Sequence, residues 1–488
     1  MRNSETDCDV VVVGAGGAGL AAACAAAETG ARVVVIEKLQ HLTGTTSWSV
    51  GSIAAAGTRL QREAGILDTP EAFAEDMLLA HPQSEDTQHL RLMLARDAGA
   101  TVDWLERIGV VFLGPFPEPP NRVPRMHNAV PAGRIYLQVM AGEARRLGVE
   151  LRHGARATEL IIENGEVHGV RYESEGGAQA LRARSVVLAS GDYSASAELR
   201  AQHLTPSQAA AIPINANSTG DGHRMALQAG AGMKRMDGVF GPQLRFVAAR
   251  SLPWIASLPD WRWLRRFGAA LIRHAPPAVL GMLAKQLLVA HMSPSDALFE
   301  AGAVLVDASG DRVGASSKAG EALALRPGAT GFVVGDAALA ARFSRYPHFM
   351  STAPGIAFAY FRDYERGRPD LVHWGADAKT LAAQLGFDAA QFAQATSHLA
   401  GRMFALGPCQ AMLTVTEGGA SIDARGCVLD TAGKAISGLY AAGGNGQSGL
   451  MLKGHGLHLA WAMTSGRVAG ASAGTQARIR PPSASYSG

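Results

Sequence analysis

The chain of 488 residues begins with a strongly apolar pattern. After Asp9, Val10 to Val13 run without polar alternation, which predicts a parallel strand buried on both faces. Gly14-Ala15-Gly16-Gly17-Ala18-Gly19 follows at once, and the alanine-rich stretch from Leu20 to Glu28 predicts a helix ended by Gly30. A second apolar strand, Ala31 to Ile36, stops at Glu37-Lys38. Residues 69–109 are helical in pattern, with Pro70 in the first turn and a break near Ala98-Gly99. Tyr136 to Leu147 is an amphipathic helix. Val149 to Arg152, Ala157 to Glu163 and Val167 to Glu173 are strands, with Glu163-Asn164-Gly165-Glu166 as a hairpin turn. Ser185 to Ala189 is another buried strand and leads into Ser190-Gly191-Asp192-Tyr193. Thr219-Gly220-Asp221-Gly222 opens a helix that ends at Gly230, and Asp221 stands there as a helix cap first and a ligand second. Strands over 304–307 and 332–336 and helices over 377–385 and 388–400 precede a last helix from Leu457 to Ala469. The Pro/Ser/Arg-rich tail from Thr475 is expected to be disordered.

The first of these units has the mechanics of a dinucleotide site. Gly14 permits a tight turn, Gly16 lets the backbone approach a pyrophosphate, and Gly19 lets the helix pack closely on the strand. The free N–H groups at the helix start receive phosphate charge. Glu37, at the end of the second strand, can accept hydrogen bonds from both hydroxyls of an adenosine ribose, and an acid there disfavours a 2′-phosphate. The loop Leu42-Thr43-Gly44-Thr45-Thr46-Ser47-Trp48-Ser49-Val50-Gly51-Ser52 offers backbone N–H groups and short donors to a phosphate or flavin edge.

Composition narrows the partners. At 488 residues the chain exceeds the usual size of one core, so two domains are expected. A net charge of +3 is too small to argue for nucleic acid. Cys8, Cys24, Cys409 and Cys427 show no metal or haem spacing, so no metal is expected, and their usage fits a reducing, cytoplasmic setting. The N-terminus carries no apolar signal region. Gly114 to Pro131 holds six prolines and reads as an irregular pocket edge. Between Gly241 and Met292, seven Lys/Arg face one acid, Asp260, among Trp254, Trp261, Trp263 and many aliphatic residues. Its longest uncharged run is 11 residues, too short to span a bilayer, so the stretch reads as a helical subdomain. A peripheral membrane contact through 250–290 is the alternative.

Taken in order, these blocks resemble the flavoproteins of the fumarate reductase and 3-ketosteroid dehydrogenase superfamily. The pieces that carry the resemblance are the glycine loop with Glu37-Lys38, the loop from Gly44 to Ser52, Ala189-Ser190-Gly191-Asp192-Tyr193, Thr219-Gly220-Asp221-Gly222, Glu417-Gly418-Gly419, and Gly438 to Gly443 with the last helix. The resemblance implies an α/β fold: a Rossmann-like, glutathione-reductase-type FAD domain with an inserted α+β capping domain. The expected divisions are 1–240 and 373–474 for FAD, 241–372 for the cap, and 475–488 for the tail. It also implies FAD contacts from Gly14, Gly16, Gly17, Ala18, Gly19, Glu37, Lys38, Gly44, Thr45, Thr46, Ser47, Gly51, Ser52, Ala157, Ala189, Ser190, Gly191, Asp221, Gly443, Gly456 and Leu457. Where the family carries Glu or Asn after Ala-Ala-Gly this chain has Gly444, so a ribityl contact is expected to shift to Asn445. Gly44 stands where membrane succinate dehydrogenases carry a histidine bonded to FAD, so non-covalent FAD is expected.

The departures bear on the substrate. The Asn-Arg pair of fumarate reductases is replaced by Leu450-Met451, and their Arg-Phe-x-x-Glu stretch by Arg312-Val313-Gly314-Ala315-Ser316. A dicarboxylate needs paired cations, so these losses argue against fumarate or succinate. The Tyr-x-Gly-x-Gly motif of 3-ketosteroid dehydrogenases appears as Leu452-Lys453-Gly454-His455-Gly456, with its tyrosine lost. The expected reaction is therefore desaturation beside the carbonyl of an apolar cyclic or steroid-like ketone, or its reverse, with the β-hydride passing to flavin N5. His455 is the first candidate for polarising the oxygen or moving the proton, and the Gly456 N–H can bond the ketone oxygen. Tyr346 is a candidate base, with His348 and Lys453 behind it. Two alternatives stand beside this reading. One is a reductase of an unsaturated carboxylate that draws an arginine from elsewhere, Arg345 or Arg245. The other is an electron-carrying flavoprotein at a membrane surface.

Overall fold

The computed structural model describes residues 6–79, 87–247, 268, 289, 293–314, 318–353 and 357–479. The apolar pattern at the start forms strand β1 (Cys8–Val13), helix α1 (Gly17–Glu28) and strand β2 (Val33–Glu37). Val10, Val11 and Val12 are fully buried because the sheet packs against helices and against the strands of 156–174. β1 pairs in parallel with β2 on one side and with Gly177–Leu188 on the other. Glu150–His153 extends the sheet beyond β2, and Ala435–Ala441 extends it beyond Gly177–Leu188, both in parallel. The hairpin expected at 163–166 joins Arg156–Glu163 to Glu166–Ser174, and its corner residues Asn164 and Gly165 take φ of 51° and 77°. Both are left-handed, as a tight hairpin turn requires.

The last helix is longer than its sequence pattern predicted, running from Leu457 to Ile479. Residues 475–479 of the expected disordered tail are therefore helical, and 480–488 lie outside the described residues. The reason is packing against α1. Gly466, Gly470 and Gly474 recur every four residues, and a Cβ added to them would stand 2.3 Å from the Ala18 oxygen, 2.1 Å from the Ala22 oxygen and 2.5 Å from Thr29 Oγ1. Only glycine allows that approach, and Ala473 and Ala477 continue the buried face to the helix end.

Residues 69–109 form two helices, Pro70–Leu79 and Gln88–Ile108. The second runs straight through Ala98-Gly99, where a break was expected. Gly99 serves close packing instead, since a Cβ there would lie 2.3 Å from the Ala56 oxygen.

A second core forms around Met403–Leu413, the centre of a six-stranded sheet with Ile212–Pro213, Gln243–Phe246, Val304–Asp307, Thr330–Asp336 and Val372–Gly375. Its buried residues run from Ala211 to Leu413. Residues 373–413, which the sequence expectation joined to the FAD body, thus pack with this second core, because Met403–Leu413 supplies its central strand. The chain passes between the two cores along paired ribbons. Met233–Lys234 pairs with Gly419–Ala420, and Val239–Phe240 pairs with Val415–Thr416. Among the described residues no helix is long and apolar enough to cross a membrane. The segment 250–290, on which a membrane contact was expected, lies outside the described residues except for 268 and 289.

Candidate functional site

The glycine loop is shaped by its neighbours. Gly14 takes φ of 99°, and a Cβ there would meet the Ala189 oxygen at 2.7 Å. A Cβ on Gly19 would lie 1.9 Å from the Gly14 oxygen, so the turn and α1 touch backbone to backbone. Gly16 differs, because nothing stands within 4 Å of the position a Cβ would take. It caps α1 without a side-chain hydrogen bond, and the first turn carries no acid. Bare N–H groups facing open space are what a phosphate requires. Glu37 reaches back across this loop, its carboxylate accepting from the Ala15 N–H at 2.8 Å and the Leu39 N–H at 2.9 Å.

Three other segments converge here. Gly44, at φ of 139° with open space around it, begins the single helical turn Thr45–Trp48. The Thr46 side chain crowds Gly17 (a Cβ there would lie 2.7 Å from Thr46 Oγ1), Ser47 Oγ donates to the Gly44 oxygen at 2.7 Å, and Asn215 Nδ2 donates to Thr45 Oγ1 at 3.2 Å. Gly51 takes φ of 88° and receives the Tyr136 hydroxyl at 2.8 Å, while Ser52 Oγ donates to Asn128 at 2.7 Å. Ala189 follows β1 through its N–H to the Val13 oxygen at 2.9 Å, and Ala157 is buried opposite Tyr172. Gly191, at φ of 90°, leads away from Ser190. Gly443 lies so near α1 that a Cβ would be 2.9 Å from that of Ala18.

Several polar residues expected to touch FAD are occupied by protein. Lys38 Nζ donates to Thr219 Oγ1 at 2.6 Å and Asp221 at 2.9 Å. Asp221 also takes Arg156 at 2.9 Å and Arg224 at 3.0 Å. Gly220 holds the N-cap position, so Asp221 is the hub of an ion cluster rather than a cap. Burial alone would raise its pKa, but the bonds from Lys38 and Arg156 outweigh that and carry it well below the usual carboxylate range. Asn445 is buried, accepting from the Ser190 N–H at 2.7 Å and Ser190 Oγ at 3.0 Å and donating to His223 Nδ1 at 3.1 Å. Gly444 sits beneath it, where a Cβ would lie 3.0 Å from the Asp192 nitrogen.

Beyond the loop lies the turn that opens the last helix at Leu457. Gly456 has φ of 85°, and its oxygen accepts from the Ala54 N–H at 3.2 Å, which pins the helix start to the strand Ser52–Ala54. His455 projects from this turn, its ring 61% exposed, and its Nδ1 lies 2.5 Å from Glu118 Oε1. The Glu118 carboxyl is only 11% exposed, and its Oε2 has no partner among the described residues. The Glu118 bond raises the His455 pKa, against burial and the Arg245 charge, which lower it. Arg245 is half-buried on Gln243–Phe246, its Nη2 donating to Gln243 and Thr414 at 3.3 Å, while Nε has no partner among the described residues. Burial pulls its pKa down.

One turn further, His458 Nε2 and Glu417 Oε1 lie 3.3 Å apart, in ion-pair range but without hydrogen-bond alignment. Burial pushes the nearby Asp192 carboxyl up to about 6, against the Ser194 bonds and the His458 charge.

The other catalytic candidates part company. Lys453 is exposed on the same turn as His455. Tyr346 is 70% exposed with its ring against Phe358, and His348 accepts from Arg342 Nε at 3.2 Å. Both belong to the second body, and no contact among the described residues brings them to His455. Glu118 and His458 were not singled out from sequence. The one signal for Glu118 was an acid inside a six-proline excursion already read as a pocket edge.

A two-core α/β chain with an open glycine loop, an acid braced behind it and a long helix packed along α1 fits an FAD-dependent oxidoreductase. The chain belongs to the FAD binding domain family, which matches residues 9–246 and 270–451. It is 26% identical over 473 residues to the probable fumarate reductase Ifc3 of Shewanella frigidimarina, covering 90% of this chain and 70% of that one. A fumarate reductase (cytochrome) of Shewanella frigidimarina is 31% identical over 47% of this chain and 41% of its own length. In fold the chain is similar to the open conformation of a flavocytochrome c3 fumarate reductase, with a TM-score of 0.73, 24% identity and coverage of 98% and 79%. It is also similar to 3-ketosteroid Δ1-dehydrogenase from Sterolibacterium denitrificans, with a TM-score of 0.67, 18% identity and coverage of 97% and 100%. Relatives of this kind are FAD-dependent enzymes acting on CH–CH groups, and this chain is an enzyme of that class.

Proposed function

We propose that the protein interconverts a CH–CH bond and a C=C bond next to the carbonyl of an apolar cyclic ketone. The reading takes the parallel-sheet body as a Rossmann-like, glutathione-reductase-type FAD domain and the second body as its cap, with FAD held non-covalently. The observation that carries it is His455, tied to a buried acid on the turn that starts the last helix. FAD, when bound, supplies the acceptor for the hydride. The protein supplies the rest. The Gly456 N–H is the donor for the ketone oxygen, which acidifies the α-carbon, and His455 Nε2 moves the proton. Gly14 to Gly19, Glu37 and the Gly44 to Ser47 turn hold the dinucleotide, and Lys38, Asp221 and Asn445 hold those segments together.

Arg245 favours a second reading. A half-buried guanidinium with no acidic partner among its recorded bonds is suited to the carboxylate of an unsaturated monocarboxylic acid. Both ketosteroid and fumarate enzymes occur among its structural neighbours.

Anaerobic addition of saturated cyclic ketones to the yellow holoprotein tests the proposal. Loss of flavin absorbance with a ketone and none with succinate is expected. Bleaching by succinate alone, or by no ketone, overturns it.

A further inference from the structure

We infer that Glu118 is the positioning residue of a Glu118–His455 dyad, holding the imidazole by Nδ1 so that Nε2 faces the substrate and exchanges the proton. The inference rests on the proton-transfer role proposed for His455 and adds how that group is oriented and charged.

Three observations converge on it. First, the backbone on either side of His455 is glycine in the left-handed region, Gly454 at φ of 129° and Gly456 at 85°. Leu452 and Leu457 are buried on either side. The turn therefore anchors both ends and lifts the ring between them. Second, with Nδ1 engaged by Glu118, Nε2 is the nitrogen left without a recorded partner among the described residues. Third, the Glu118 carboxyl has lost most of its water and its second oxygen has no bond. A carboxylate in that position is costly unless a cation faces it. A protonated His455 is the cation in contact.

The charges around the pair are Arg245 from the strand Gln243–Phe246, Lys453 on the same turn, and His458 with Glu417 one helical turn on. Arg245 opposes protonation of His455, so the Glu118 contact is what sustains it.

In the dehydrogenation direction the resting imidazolium first releases its Nε2 proton to solvent; Nε2 then takes the α-proton, and the Nδ1–H bond to Glu118 is kept throughout. The electron pair of the broken Cα–H bond becomes the new C=C bond, and FAD, when bound, would accept the β-hydride with its two electrons. In reduction Nε2–H returns the proton. A histidine backed by a carboxylate is the stronger base and is held in one tautomer, as in other acid–imidazole pairs.

Histidine-labelled holoprotein followed by NMR through pH 5 to 9 tests this, with the His455 signal assigned by its loss in His455→Gln. The wild-type His455 should titrate above 6.5. In Glu118→Gln it should fall, with FAD content unchanged. The pH profile of ketone-driven bleaching should move by the same amount, and Glu118→Asp should restore part of both. If Glu118→Gln does not fold, Glu118→Asp and the wild-type titration decide alone. An ordinary His455 titration in the wild type, or one unmoved by loss of the Glu118 charge, overturns the dyad. A His455 shift without any ketone-driven bleaching leaves the dyad standing and sinks the substrate reading instead.

Discussion

The carboxylate of Glu37 accepts a hydrogen bond from the backbone N–H of Ala15 at 2.8 Å, joining the end of the second strand to the turn after the first. Its other oxygen takes the Leu39 N–H at 2.9 Å. The acid and the glycine loop are thus held in register by the protein itself, and the loop can meet a dinucleotide without refolding.

Glu37→Ala removes that brace together with the acceptor for the ribose. Hydrogen bonds to a charged group contribute about 1.5–3 kcal/mol, so FAD affinity should fall roughly 10- to 150-fold. Fluorescence titration of apoprotein with FAD checks this, and an unchanged Kd would remove Glu37 from the site.

Gly470→Ala should destabilise the protein although it lies inside a helix. Alanine gains up to about 1 kcal/mol of helix propensity, but overpacking costs about 1–3 kcal/mol. Here the new Cβ would lie 2.1 Å from the Ala22 oxygen, backbone that cannot yield cheaply. Gly142→Ala, in the helix Arg134–Arg146, has nothing within 4 Å and should stabilise by roughly 0.5–1 kcal/mol. Urea unfolding of the two variants should give opposite signs.

Acid should weaken the fold through two buried histidines. Burial pulls His223 and His127 from 6.5 down to about 4. His223 is held neutral, its Nε2 donating to the Gly418 oxygen at 2.9 Å while Nδ1 accepts from Asn445 at 3.1 Å. Between pH 6.5 and 4 the unfolded chain binds protons that these folded sites refuse. Stability is therefore complete above the upper value and falls as pH drops toward the lower one, by up to about 3 kcal/mol for each group. Urea midpoints at pH 7, 5.5 and 4.5 should decline in that order, and less steeply in His223→Gln.

Arg245→Gln separates the two substrate readings. If a carboxylate docks on this guanidinium, KM for an unsaturated monocarboxylate should rise about tenfold or more. Turnover of a cyclic ketone should stay near wild type. Steady-state kinetics on both substrates decides, and a loss confined to the ketone would contradict both readings.

Much of the FAD-side architecture was legible along the chain. The Val10–Val13 run, the glycine spacing and the Asn164-Gly165 corner each act within a few residues of themselves, and Glu37 is placed by the short strand–helix–strand unit that ends at it. Sterics and burial at that range leave few alternatives, so local pattern and final structure agree. Gly99 looks like a breaker until its partner surface is known, and 475–479 share a Pro/Ser/Arg-rich tail whose composition hides the helix that packing on α1 extends. Gly466, Gly470 and Gly474 carry that partner information in their spacing, but only α1 lying against them shows its use.

Chain chemistry alone thus settled the cofactor class and the strand–loop–helix unit that receives it, because those depend on short-range backbone geometry. Tertiary structure alone decided which side chains meet at the turn before the last helix. Glu118 and His455 stand 337 residues apart, and Tyr346, the candidate base behind His455, stays with the second body. Local sequence cannot tell which distant residue will bury a charge beside another. That is decided when the proline-rich excursion and the turn before the last helix fold onto the same core.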